Sequence, residues 1–575
     1  MSFLRVAHLG RALLAATALA AVAACGDDDD DDVTPPPPAL VAPTNLAAAE
    51  QTTNGTVRVT WTAVTGAESY VVERATGATG TFAQVGTPTA AQYDDVGLTQ
   101  GQVVRYRVAA RRGTTSGPFS GDVSVTTRVQ GPRVRVLTGT LATQSLAADT
   151  QYVLRGFVQV PSGQTLTIAA GTTIVGDTTV PGSALFVLRG GRIVANGEAA
   201  RPIVFTSQRT PGNRRAGDWG GLIIIGNARL SRPAPTILEG SNANVGGVQY
   251  PGFDIAGGTN DDDNSGSLRY VRVEFAGFAV SQDNELNSFT FAAVGRGTRL
   301  EYLQSMSGLD DAFEWFGGTV DGRYLVSYLS GDDHFDAAEG YRGRNQFLIA
   351  LQDTLPLPRQ GAGTIATDPQ GFEIDGCNVS GTNCPSQSAT PYTMPVFANF
   401  TLVGGGSGIQ QTQGGIGMVI RRGGGGVYVN GVVTRWGRLG LSVRDSATNN
   451  RRLADSLVIR NVLFTENGAT LDPAATNFTQ PASFATAALD SAGTAATALF
   501  AALPALGTAP TAAGLDFSLA ANSAAATGGL ATFGGTLGAR MTNFFGGTLE
   551  GTAYRGAIAP GGTRWWQGWT NYARN

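Results

Sequence analysis

Two consecutive stretches of the chain superimpose without a gap at an offset of 22 residues: Leu309-Asp310-Asp311-Ala312-Phe313-Glu314-Trp315-Phe316-Gly317-Gly318 and Gly331-Asp332-Asp333-His334-Phe335-Asp336-Ala337-Ala338-Glu339-Gly340. Tyr302 then matches Tyr324, Asp311 matches Asp333, Phe313 matches Phe335, and Glu314 matches Asp336. A looser copy, Gln370 to Gly376, keeps the Phe followed by an acid, and Thr165 to Val175 aligns with Ala184 to Val194 at an offset of 19. A unit of about 20 residues with short apolar strands broken by Gly, Asn or Asp turns has no partner for its own inward face. Such units must stack, and the expected result is a parallel β-helix in which each coil completes the one before.

Successive side chains of a strand point to opposite faces, so Phe313, Phe335 and Phe372 are expected inside while Glu314, Asp336 and Glu373 stack outside. Adjacent coils lie about 4.8 Å apart. Two carboxylates at that spacing repel by roughly 1 kcal/mol in water and about 3 to 4 kcal/mol at an effective dielectric of about 20. A cation, an Arg or a raised pKa must offset this, and three readings follow. In the first, Asp310, Asp311, Asp332 and Asp333 shape turns through side-chain to backbone bonds while the outer acids are solvated. In the second, Asp311, Glu314, Asp333, Asp336 and Glu373 hold calcium, whose hard oxygen coordination suits clustered carboxylates. The third is enzymatic: paired carboxylates act as acid and base on a glycan, or an Arg base works with calcium, while Trp315, Phe316 or Tyr341 stack on sugar rings. His334 is expected to be a hydrogen-bonded or exposed bystander; beside Asp333 or Asp336 its pKa would be raised, but its counterpart Ala312 shows that the repeat does not need it. Asp261 to Gly266 lacks the ligand spacing of a calcium loop, and the runs Gly404-Gly405-Gly406 and Gly423 to Gly426 lack the helix start of a dinucleotide site.

All 40 basic residues are Arg, which excludes Schiff-base and phosphate-loop lysine chemistry. Residues 1–24 have a basic start (Arg5, Arg11), an apolar run and small residues before Cys25, the pattern of a secretory signal. Val22-Ala23-Ala24-Cys25 resembles the lipobox of bacterial lipoproteins, which implies that Cys25 is lipidated and carries the mature chain on a membrane. Residues 25–41, with Asp27 to Asp32 and Pro35 to Pro38, read as a solvated, extended tether. Without the two leader arginines the balance is 38 basic against 44 acidic residues, so nucleic acid is not an expected partner. Cys377 and Cys384 flank turn-forming residues, and in an exported chain a local disulfide is expected. One histidine, His334, remains beyond the leader, which disfavours zinc and a Ser-His-Asp triad.

Residues 42–127 alternate apolar and polar positions in short runs. Pro43, Leu46, Trp61, Tyr70, and Leu98 eight residues before Tyr106 resemble the fibronectin type III pattern with its tyrosine corner, which implies a β-sandwich spacer or binding module. Further on, Gly190 to Gly197, Arg201 to Ser207, Asp218 to Gly226 and Leu268 to Gly277 together resemble a family of bacterial lipoproteins and secreted proteins. Those proteins carry a right-handed β-helix of the broad pectate-lyase-like class, which mixes lyases, hydrolases, adhesins and inert spines. The expected architecture is therefore all-β: the sandwich, a right-handed parallel β-helix over 133–470, an Ala/Thr/Ser-rich, partly helical insertion over 471–540, and an aromatic cap over 541–575 whose Trp565, Trp566, Trp569 and Tyr572 cover the open end of the helix. The expected function is an outer-membrane lipoprotein, palmitoylated at Cys25, with a non-catalytic binding, structural or adhesive surface. Calcium and a polysaccharide or envelope-protein partner belong to this expectation. The alternative is an anchored polysaccharide lyase or glycoside hydrolase working at the acidic face.

Overall fold

A computed structural model of the chain describes residues 37–51, 55–128, 133–242, 244–245, 247–281, 284–378, 384–407, 414–471, 489–490, 493–506, 508–511 and 514–575. The expected leader, Cys25 and most of the tether lie outside the described residues. The chain divides into two compact units at Gly131 and Pro132.

The first unit forms two antiparallel sheets. Strands Ala47–Glu50, Val57–Thr60 and Gln92–Asp95 make one; Ala83–Gly86, Ser69–Thr76, Val103–Arg112, Thr115–Phe119 and Val123–Thr126 make the other. Their alternating residues meet in a core of Val57, Val59, Trp61, Tyr70, Val72, Leu98, Val104, Tyr106 and Val108. The Tyr106 hydroxyl donates to Asp95 Oδ2 at 2.8 Å rather than to the backbone, and Arg74 closes the arrangement on the same carboxylate at 2.9 Å.

The second unit is built on a 25-stranded, essentially parallel sheet wound into coils. In its middle, strands Arg299–Met306, Asp321–Tyr328, Arg344–Leu351 and Val396–Gly406 stack on one side, and Phe313–Phe316, Phe335–Ala338, Gln370–Asp375 and Ile416–Arg421 stack on another. Phe313, Phe335 and Phe372 form the expected internal ladder and Phe289 extends it; from Phe289 onward the ring centroids lie 4.9, 5.3 and 5.6 Å apart, and all four are fully buried. The 22-residue register is that of Leu300 with Gly322 and Glu314 with Asp336. The 19-residue alignment is not a coil register. Leu166 pairs with Ile193 and Val158 with Leu185, both 27 residues apart, because turn lengths differ from coil to coil and the alignment matched strands of different sides.

One corner of the coils is made by a column of non-glycine residues in the left-handed region: Tyr270, Tyr302, Tyr324, Phe347, Asn399, Asn430 and Asn461, with φ between 48° and 63°. A bulky side chain there is strained by about 1–2 kcal/mol. Stacking offsets this where the column is aromatic, with centroids 4.4, 4.4 and 5.2 Å apart from Tyr270 to Phe347. Asparagine, which tolerates the conformation, takes over afterwards. The asparagines also hold later chain against the coils: Asn399 Nδ2 donates to Thr552 Oγ1 at 2.7 Å, Leu530 N donates to Asn430 Oδ1 at 2.7 Å, and Asn461 Nδ2 donates to the Gly528 carbonyl at 2.7 Å.

That later chain corrects the expectation of an end cap. Trp566, Trp569 and Tyr572 bury themselves against Met306, Val326, Tyr328 and Ile349, on the flank of the strand stack, and Trp569 meets Tyr270 edge-on at 5.6 Å. The flank presents large apolar residues at every second position, so it needs cover along its length. Regular helix among the described residues is sparse: Ser446–Leu453, capped by Asp445, a 3₁₀ turn Ala496–Ala498, and Gly535–Met541.

Candidate functional site

The outward column beside the phenylalanine ladder runs Thr290, Glu314, Asp336, Glu373, Val419, each in parallel register with the next. The turn before these strands adds Asp310 and Asp311 from one coil and Asp332 and Asp333 from the next. The column and turn form the floor of a trough of ≈ 1260 Å³, whose lining includes twelve carboxylates and three arginines. Its walls come from chain inserted between coils, including Ile237 and Glu239, Glu285 of the Phe278–Ser281/Asn284–Leu286 hairpin, and Asp368.

The structure brings Asp311, Glu314, Asp333, Asp336 and Glu373 together, as the repeat implies, and adds Asp310 and Asp332. One carboxylate oxygen from each member of Asp310/Asp311/Asp332, of Asp311/Glu314/Asp336, and of Asp333/Asp336/Glu373 lies within 4.8 Å of the other two. The acids are not openly solvated. Exposure is 5% at Asp311 and Glu314, 1% at Asp333 and 8% at Glu373. The turn-shaping role is real for two of them: Asp333 N donates to Asp311 Oδ1 at 2.7 Å, and Gln370 N donates to Asp333 Oδ1 at 2.5 Å, so each coil's aspartate accepts from the next coil.

Compensating charge is confined to the margins. Arg421 pairs with Glu373 and, at 2.7 Å, with Asp375; Arg422 also pairs with Asp375, and Arg232 pairs with Glu339. Asp310, Asp311, Glu314, Asp332, Asp333 and Asp336 make no ion pair among the described residues. Burial first, and repulsion from neighbouring carboxylates second, push all six well above the ordinary carboxylate range. Glu373 is raised by burial and by Asp375, with Arg421 opposing.

Asn287, 2% exposed, borders the same floor. Its Nδ2 donates to Glu314 Oε2, while its Oδ1, like Asp336 Oδ1, has no hydrogen-bond donor. Buried oxygens without donors among ionisable carboxylates match the donor set of a hard cation such as calcium.

The stacking expectation is corrected for two of its three residues. Trp315 and Tyr341 are fully buried inside the coil and stack on each other at 5.2 Å; Tyr341 Oη donates to the Val320 carbonyl. A sugar ring cannot reach either. Phe316, 7% exposed, borders the trough. His334 is also interior, with Nδ1 2.6 Å from Ser327 Oγ; burial lowers its pKa from 6.5 to about 3, opposite to the rise that pairing with Asp333 or Asp336 would give. It is the hydrogen-bonded bystander. Cys377 and Cys384 form the expected disulfide, with Cα atoms 5.7 Å apart. Asp261, in the composition-only calcium loop, is taken by Arg229 and Arg342, which lower its pKa against the opposing effect of burial.

Comparison with known proteins adds the following. A family model described as "Pectate-lyase like beta helix domain" matches residues 139–503. A pectate lyase from Erwinia chrysanthemi solved with tetragalacturonic acid is similar over 70% of this chain and 86% of its own, at 7% identity and a TM-score of 0.13. A pectate lyase from Pectobacterium carotovorum gives 70%, 85%, 8% and 0.13. An Fn3-like protein from Clostridium thermocellum is 28% identical over 16% of this chain and 100% of its own, with a TM-score of 0.15. No curated protein matches.

Proposed function

This chain belongs to the pectate-lyase-like β-helix family, and from that premise we propose that it is an envelope lipoprotein whose acidic trough is a calcium-dependent, non-catalytic binding surface for a polysaccharide. The observation that carries the reading is the floor of six carboxylates, three buried and three half-buried and none in an ion pair among the described residues, in a ≈ 1260 Å³ trough. A folded protein keeps so many like charges together only with counter-charge or protons, and an extracellular setting supplies calcium. Calcium bound there would leave part of its oxygen shell facing the trough, where the hydroxyl or acid groups of a glycan can complete it. The Val22-Ala23-Ala24-Cys25 sequence supports lipidation and outer-membrane anchoring, with the 25–41 tether holding the folded units off the lipid and residues 42–127 serving as a fibronectin type III spacer.

One feature favours the alternative, an anchored polysaccharide lyase or hydrolase. Glu314 and Asp336 approach within the separation of about 5 Å used by retaining glycosidases, and both have raised pKa values. The test is one panel of acidic and neutral glycans incubated with the full chain in calcium and in chelator. The binding reading predicts calcium-dependent retention without new reducing ends or unsaturated products. Product formation replaces it with the enzymatic one, and retention in chelator removes the calcium. Acyl chains on Cys25 in mass spectra of the mature protein are expected; an unmodified start at Gly26 or later contradicts anchoring.

A further inference from the structure

Two inserted segments whose arginines lie outside the trough lining meet on the surface of the second unit. Residues 208–217 leave the strand Ile203–Ser207, and residues 354–361 lie beyond the strand Arg344–Leu351. Ala216 N donates to the Leu357 carbonyl at 3.1 Å and Arg359 N donates to the Ala216 carbonyl at 2.8 Å, so a short parallel bridge ties the two together.

The junction concentrates positive charge. Arg209, Arg214 and Arg215 come from the first segment and Arg359 from the second. Arg155 lies alongside: it holds Asp177 at 2.6 Å, and Arg359 Nη2 donates to the carbonyl of the next residue, Thr178, at 2.7 Å. The acids here, Asp177, Asp218 and Glu274, lie beneath the guanidinium groups and are each only 1% exposed. Arg209 pairs with Asp218 at 3.2 Å, and Glu274 is held more closely by Arg272 at 2.9 Å than by Arg214 at 3.8 Å. Six arginines, Arg272 included, therefore stand over three acids, an excess of three in a chain whose formal net charge is −4. Several of their bonds go to neutral carbonyls, Arg214 Nε to Arg209 at 3.0 Å and Arg215 Nη1 to Arg214 at 2.7 Å, which position the charge without cancelling it. Burial, and after it repulsion from Arg209, lower the pKa of Arg359, with Asp218 opposing. Beside this charge Leu357 is 66% exposed, between buried Pro356 and exposed Pro358.

We propose that this face of the second unit docks on an anionic phospholipid surface, with the arginines on lipid phosphates and Leu357 inserted at the headgroup boundary. Guanidinium groups bind phosphate in a fixed, forked geometry, and interfacial binding adds buried apolar area to attraction for anionic lipid. A soluble polyanion would use the arginines but would leave Leu357 in water, whereas a lipid surface accommodates both. Proline on either side restricts the backbone at Leu357, so less ordering entropy opposes its insertion. The proposal rests neither on the trough reading nor on acylation of Cys25.

The experiment is flotation of the mature chain carrying Cys25→Ser, so that no acyl chain contributes, in chelator, so that no calcium bridges trough acids to lipid. Vesicles of phosphatidylcholine alone are compared with an equal mixture of phosphatidylcholine and phosphatidylglycerol. Retention at least about tenfold stronger on the mixture is expected, and it should vanish in about 1 M salt, where the screening length falls to about 3 Å. Each arginine near such a surface is worth about fivefold, so Arg214→Gln with Arg215→Gln should weaken binding about 25-fold. Leu357→Ser should weaken it about tenfold. Arg133→Gln with Arg135→Gln, an equal charge change on the exposed strand Arg133–Thr140, should alter it less than about twofold. Equal retention on both vesicle types overturns the proposal, as does equal loss in the two double variants. Capture by dextran sulfate without retention on either vesicle also overturns it, and unchanged binding of folded Leu357→Ser overturns the insertion. The wild-type comparison decides even where a variant fails to fold, and circular dichroism identifies such a variant.

Discussion

Removing one trough carboxylate should act in opposite directions with and without calcium. In chelator at about pH 8, Asp336 faces Glu314 across one coil, about 4.8 Å away, and two full charges there repel by about 3.5 kcal/mol at an effective dielectric of about 20. Both groups are raised in pKa, so protonation already relieves part of this, and Glu373 on the other side is paired with Arg421. Asp336→Asn should then stabilise the chelated protein by about 1–3 kcal/mol. With an unfolding entropy of about 2.1 cal/mol/K per residue over the roughly 440 residues of the second unit, this is a rise in Tm of about 1–3 °C. In saturating calcium the same substitution removes a ligand. An ion present at about a thousand times its Kd contributes about 4 kcal/mol, so each ion lost lowers Tm by about 4 °C. Thermal melts of both proteins in both buffers read the sign directly. A shift in the same direction in chelator and in calcium refutes the reasoning, whatever its size.

The pH dependence follows from the same groups. Carboxylates whose folded pKa is raised give stability that is complete below the unfolded value of about 4 and is lost as pH rises through the folded values, so the Tm of chelated protein should fall as pH rises above about 4, and calcium should flatten the profile. His334 has the opposite sign: its depressed folded pKa gives stability that is present above about 6.5 and lost as pH falls toward about 3, and its imidazole signal in NMR should remain neutral at about pH 5. Phe313→Ala opens the internal ladder between Phe289 and Phe335 and should cost about 3–5 kcal/mol, read as a Tm drop of about the same number of degrees. Asn430→Ala removes the bonds to Leu530 and Thr552 at a cost of about 1–3 kcal/mol, and limited proteolysis should then cut sooner within 525–560.

The 22-residue match is sufficient to read the register of Glu314 on Asp336, Phe313 beside Phe335 and the convergence of four of the named acids, because those two coils have equal turn lengths; Phe372 and Glu373, on a coil with a longer connection, are placed by the shared Phe-acid pair alone. Where turns differ, as between Leu166 and Ile193, the same reasoning aligned the wrong sides. Trp315, two residues from Phe313 in one strand, must face the same way, into the coil, so alternation alone excludes it from a ligand-stacking role. Tyr341 follows a turn, where alternation gives no direction. The walls of the trough had no signal at all. Glu239 and Glu285 lie on insertions of unrelated sequence, and Arg421 reaches Asp375 from 46 residues away across a long connection. Burial was the largest omission, since the repeat shows which side the acids take but not that inserted chain covers them.

The claim that the trough is a cation site is tested most directly by diffraction from calcium-soaked crystals of the full chain. Calcium density coordinated by Asp311, Glu314 and Asp336 is expected, with further density toward Asp310 and Asp332 or toward Asp333 and Glu373. Calcium absent from these carboxylates, with their side chains unmoved in the soaked crystal, contradicts it.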